Sequence, residues 1–163
     1  MHRLDRPVGG VMVFAKTSKA ASRLGKQIQT HTFNKEYHAV VCGNISVKGN
    51  FFDRLLKNEK LNIVSVNEKG KDAKLSYEKI GFVNGLSLVK IHLETGRSHQ
   101  IRVQFSYHGY PLYGDQKYNK LAKVGEQIAL FASSLTFIHP VTKEELTFKL
   151  DLPNTYPWNL FKQ

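Results

Sequence analysis

The dipeptide Asn84-Gly85 constrains the fold of this 163-residue chain more than any other feature. It stands between two β-prone runs, residues 73–82 and 86–93. Both residue types accept positive φ, which a tight loop between right-twisted strands demands, so the pair predicts an antiparallel hairpin. A second reversal around Thr142-Lys143-Glu144 separates strands expected over 128–138 and 146–152. Residues 35–43 read as a further strand, with Tyr37, Ala39 and Val41 on one face and Glu36, His38 and Val40 on the other. Residues 11–15 read as a short buried strand, and 62–66 as another inside the otherwise least ordered stretch, 44–74.

Only two segments carry helical signals. Thr17-Ser18 can cap a helix over 19–30 whose Ala20, Ala21, Leu24 and Ile28 share one face. Ser98 is the expected N-cap of a helix over 99–108, with Ile101 and Phe105 toward the core and Gln100 and Arg102 off that stripe. Gly109 and Pro111 end it. The tail, 153–163, is expected to lie loosely on the surface. Hairpins with few helices predict an α+β fold: a mixed, mostly antiparallel sheet, flanking helices and a central cleft.

Charge narrows the partners. Lys and Arg outnumber Asp and Glu by 24 to 13, a net charge of +11. That excess in one small domain points to a polyanion, nucleic acid above all. No basic amphipathic helix favours a membrane surface, and no apolar run approaches the ~20 residues that cross a bilayer. Cys42 is the only cysteine, which excludes intrachain disulfides and cysteine-rich zinc sites. The expected location is the cytoplasm.

Two stretches carry the chemistry. In the first, Asp5 sits between Arg3 and Arg6, directly before Pro7 and the Gly9-Gly10 pair. Pro7 restricts its own φ and biases Arg6 to extended backbone, so Asp5 is expected on a rigid loop whose arginines favour the charged carboxylate. By itself this reads as an ordinary surface ion pair in a turn. The second stretch, Glu94-Thr95-Gly96-Arg97-Ser98-His99-Gln100-Ile101-Arg102, changes the balance.

Together the two resemble the RluA-type pseudouridine synthases. His2-Arg3-Leu4-Asp5 with Gly10 and Ala15-Lys16-Thr17 is similar to that family's catalytic motif. Lys35-Glu36-Tyr37-His38-Ala39-Val40-Val41-Cys42-Gly43 resembles its tyrosine strand. Thr95 through Val103, followed by Gly109-Tyr110-Pro111-Leu112-Tyr113-Gly114-Asp115, resembles its third signature. Three long motifs in family order are a specific signal. Two departures stand out: Val8-Gly9-Gly10 replaces the usual Thr-Ser-Gly, and Gln104 stands where histidine is frequent.

The resemblance implies that 1–163 is a catalytic domain whose chain starts inside the first motif, without the N-terminal segment usual in the family. It implies isomerisation of a uridine in ribosomal RNA or tRNA, by a monomer without cofactor or metal. Asp5 would be the catalytic carboxylate, Arg102 its ion-pair partner and Tyr37 the residue stacked on the base. Arg3 would fill the gap left by the flipped base, and Arg6, Arg97, His99 and Gln100 would bind RNA. His2, His99 and His108 are expected to be structural or to touch RNA. Two other classes stay open: a catalytically silent RNA-binding module, and a metal-dependent nuclease built on Asp5, Asp53 and Asp115.

Overall fold

The computed structural model describes residues 3–162, so the expectation for His2 lies outside the described residues. The Asn84-Gly85 turn has φ values of 52° and 77°, and it joins β5 (Lys71–Val83) to β6 (Leu86–Leu93) as an antiparallel hairpin. The rest of the sheet grows outward from that pair. On one side, β5 is followed by β3 (Lys48–Asn58) and β4 (Ile63–Val66). On the other side, β6 is followed by β2 (Asn34–Cys42) and β7 (Leu130–Ile138). The outer edge of β7 is shared by β1 (Gly9–Gly10) and β8 (Glu145–Lys149). Among the described residues every strand pairing is antiparallel except β1 with β7. The expected α+β class and mostly antiparallel sheet are what the chain forms.

The alternation in β2 holds as read. Tyr37, Ala39 and Val41 join Ile91, Leu75 and Leu130 in the main core, which α2 (Gln100–Tyr107) covers with Ile101 and Phe105. Val40, on the opposite face, packs with Leu86, Leu88 and Ala129. The first helix, α1 (Ser18–Gln29), is capped by Thr17 Oγ1, which accepts from Ala20 N at 3.1 Å. Its Leu24 and Ile28 pack with Phe33, Leu135 and Phe137.

Four expectations are corrected. Residues 11–15 form no strand: Val11 N makes a last bond to Ala132 O at 2.8 Å, and beyond it β8 occupies the edge of β7. Their alternation survives as packing, with Val11, Val13 and Ala15 against the α1 cluster. The stretch 44–74 is mostly ordered, because it contains the whole of β3. That strand hides from pattern reading because Phe51-Phe52 and Leu55-Leu56 put apolar residues on both faces and Gly49 and Asp53 take inward positions.

Ser98 is not the cap of α2. His99 takes that position in the left-handed region, φ 52°, with no side-chain cap. The helix is buried from Gln100 through Phe105, so Gln100 and Arg102 lie inside rather than beside the apolar stripe. The tail is the fourth: Trp158 is buried against Val40, Leu86, Leu88 and Ala129. Among the described residues no helix is long and apolar enough to cross a membrane.

Candidate active site

Asp5 is held from both sides by its neighbours. Val8 N donates to Asp5 O at 2.9 Å, closing a turn through Arg6 and Pro7, and Gln127 Nε2 donates to Pro7 O at 2.6 Å. Leu4 and Val8 sink into the main core on either side of the carboxylate. Gly10 then lies so close to the backbone and Cβ of Ala132 that no side chain fits, and its φ of 129° belongs to glycine. Gly10→Ala is therefore expected to push the Asp5 loop off β7. Overpacking alone should cost roughly 1–3 kcal/mol, read as a lower melting temperature.

The guanidinium of Arg102 organises the site. Its Nη1 lies 3.5 Å from Asp5 Oδ2. Its closer partner is Asp115: Nε donates to Oδ2 at 3.0 Å and Nη2 to Oδ1 at 2.8 Å, a bidentate fork. Asp115 is fully buried and fixed in turn by the amides of Lys117 and Tyr118, at 3.0 and 3.2 Å from Oδ1. The Tyr118 ring lies 5.2 Å from the guanidinium carbon. Burial works against the charge of Arg102, but the hydrogen bonds and charge of Asp115, with Asp5 beyond, outweigh it and raise the pKa. With Nε and Nη2 spent on Asp115, the remaining nitrogen, Nη1, faces Asp5.

Tyr37 completes the group. It is almost fully buried, and burial first, then the Asp5 charge, raises its phenol pKa. The phenol is thus kept protonated at neutral pH. Asp5, Tyr37 and Arg102 all line one cleft of about 980 Å³ that α1 and the start of α2 flank. Asp5 keeps 28% of its side chain exposed there, so the carboxylate is open to a ligand.

The other expected residues fall into three settings. Arg3 and Arg97 are exposed on the cleft wall, and Arg97 Nε donates to Asp72 O at 2.8 Å. Arg6 is exposed but does not line the cleft. Gln100 lines it from within, buried, with its amide spent on the loop: Oε1 accepts from Thr95 Oγ1 and Arg97 N, and Nε2 donates to Lys74 O. His99 Nδ1 lies 2.6 Å from Tyr118 OH, and burial lowers its pKa.

Asp53 stands elsewhere, bonded to His108 Nε2 and Gln104 Nε2 at 2.9 Å each. The nuclease trio of Asp5, Asp53 and Asp115 is therefore not assembled. Among the described residues no cluster of three or more metal-ligating side chains is gathered.

Residues 1–107 match the family model described as RNA pseudouridylate synthase. The chain belongs to that family. The pseudouridylate synthase relatives include ribosomal large subunit pseudouridine synthase D of Zymomonas mobilis, 34% identical over 94% of this chain and 52% of the relative. Also similar is tRNA pseudouridine synthase C of Vibrio parahaemolyticus, 33% identical over 96% of this chain and 72% of the relative. The chain spans about half the length of the first of these curated relatives. In fold it resembles human RNA pseudouridylate synthase domain containing 1, with a TM-score of 0.80 over 94% of this chain and 69% of that one, at 21% identity.

In this site Asp115 is the residue that the sequence motifs did not single out. It closes the third signature, but nothing in its spacing announces that it is the main partner of Arg102. A carboxylate just after a Tyr-Gly pair carries no local signal of burial, and the packing is what buries it.

Proposed function

We propose that this chain isomerises a uridine in RNA to pseudouridine, with Asp5 as the catalytic carboxylate. The observation that carries the reading is a partly exposed Asp5 in a large cleft, oriented by a guanidinium that is itself locked to Asp115. The reaction breaks the C1′–N1 glycosidic bond, turns the uracil and joins C1′ to C5; C5 then gives up its proton and the freed N1 takes one up. Reactant and product are isomers, so no electron or group acceptor is needed and the reading calls for no cofactor. A fixed carboxylate can attack C1′ or C6, or stabilise positive charge developing on the sugar. Arg102 holds that carboxylate in one orientation, and Tyr37 offers its ring to the base and its phenol to the polar edge.

Reaching the uridine requires flipping it from its stack, a cost of a few kcal/mol that backbone contacts offset. Arg3 and Arg97 on the cleft wall, with Arg6 and His99 nearby in sequence, are the groups we assign to those contacts. Gln100 acts behind them, by holding the Thr95–Arg97 loop. Relatives named for the large ribosomal subunit and for tRNA support an RNA substrate of one of those kinds. We take the protein to act as a cytoplasmic monomer without metal, and residues 1–163 as its catalytic unit.

Release of tritium from C5-labelled uridine in large-subunit rRNA and tRNA transcripts is the test. Release from either supports the reading; RNA binding without release would leave a silent RNA-binding module. Binding should weaken steeply with salt, because the +11 charge implies several phosphate contacts, each releasing counterion. Asp5→Asn should bind as well as the parent or better, since it removes one negative charge and keeps the side-chain size. A salt-independent affinity would contradict the phosphate contacts.

A further inference from the structure

Lys35 precedes Tyr37 by two residues on β2, so the two side chains rise from one face of the sheet, roughly 7 Å apart along the strand. Both line the cleft. Among the described residues the Lys35 ammonium makes no ion pair and no hydrogen bond. Asp72 and Glu94 line the same cleft, but Asp72 pairs with Arg54 at 3.3 Å and neither reaches Lys35. Burial, unopposed by any acid, lowers the Lys35 pKa. Lys35 is half-buried, and a partly desolvated cation without a partner gains from a ligand that supplies the missing charge.

Gly96 makes the space for it. The Gly96 backbone lies outside the left-handed region, so its conformation does not demand glycine. What a side chain there would meet is Lys35 Nζ, 2.6 Å from the added Cβ and the only neighbour in its way. The loop that carries Gly96 is pinned by Gln100 through Thr95 and Arg97, so the seat has a fixed wall.

We propose that Lys35, seated against Gly96, binds a backbone phosphate of the RNA at or next to the target uridine. The assignment rests on the synthase reading for the identity of that RNA. Phosphate fits better than a base carbonyl, because a compact ammonium recovers its lost hydration from a full negative charge and little from a neutral oxygen. The seat would hold the backbone beside Asp5 and Tyr37 while the base enters the cleft.

Lys35→Met keeps the side-chain length and removes the charge. Its affinity for a short oligouridylate, measured between about 50 and 200 mM salt, should fall roughly 10-fold at the low end. The slope of log affinity against log salt should become shallower by about 0.7, the share of one phosphate on a single strand. Without RNA the variant should melt no lower than the parent, since it loses an uncompensated charge. Gly96→Ala should weaken binding in part by displacing the ammonium, and should add nothing in the Lys35→Met background. An unchanged slope would overturn the proposal, whether affinity holds or falls, because a contact to the neutral base carries no counterion. Full additivity of the two substitutions would overturn the seat. Tritium release by the parent protein is read separately: its absence would sink the synthase reading and leave the slopes to judge Lys35.

Discussion

Asp5→Ala is expected to reduce pseudouridine formation below detection while the protein stays folded and still binds RNA. On the proposed reading the Asp5 carboxylate is the group that acts at the glycosidic carbon, and alanine offers neither a nucleophile nor a charge. The structural cost should be small. Asp5 is partly exposed and its contact with Arg102, at 3.5 Å, is the longer of the two that the guanidinium makes with carboxylates. Arg102 keeps its fork to Asp115, so its charge remains compensated. The loop is held by its backbone bonds and by Leu4 and Val8, none of which the substitution touches. A melt superposing on that of the parent, beside an empty tritium-release assay, is the expected pair of results. Near-normal turnover by Asp5→Ala would end the proposed mechanism.

Asp115→Ala should do the reverse, and act on stability first. It leaves the buried Arg102 guanidinium without its bidentate partner and strands the amides of Lys117 and Tyr118. Breaking one side of a buried pair typically costs ~3–5 kcal/mol. For a chain of this size that is a fall in melting temperature of about 6–20 °C. Activity should fall too, because a released guanidinium no longer presents a fixed nitrogen to Asp5. Restoring activity at low temperature, where the folded fraction recovers, would separate loss of fold from loss of positioning. A melting temperature unchanged in Asp115→Ala would mean that Asp5, and not Asp115, is the main support of Arg102.

That second experiment marks where sequence reading reached its end. The sequence motifs led to Asp5, Tyr37 and Arg102, and the three line one cleft although most of the chain separates them. They did not show that Arg102 leans on Asp115 more closely than on Asp5. The distinction is one of distance, 2.8 Å against 3.5 Å, and of burial, and neither property belongs to a residue type or a spacing. Gln100 is a similar case: its residue type suits RNA contact, but its amide is consumed by the loop it sits beneath.

The sequence by itself determined the features that local physics governs. Asn84-Gly85 can form the positive-φ turn of a tight hairpin, Thr17 can cap α1, and the alternation in β2 sends Tyr37 to one face whatever surrounds it. Its net charge of +11 likewise points to a polyanionic partner without reference to any fold. Tertiary structure alone decided the rest. β3 exists because β5 and β4 offer it two paired edges, which outweigh a pattern with apolar residues on both faces. The helix α2 takes Gln100 and Arg102 inside because Asp115, Lys74 and the Thr95–Arg97 loop satisfy them there. Trp158 is buried because the sheet leaves an apolar face that the tail packs onto. In each case the deciding energy is an interaction between groups distant in sequence, and no local signal carries it.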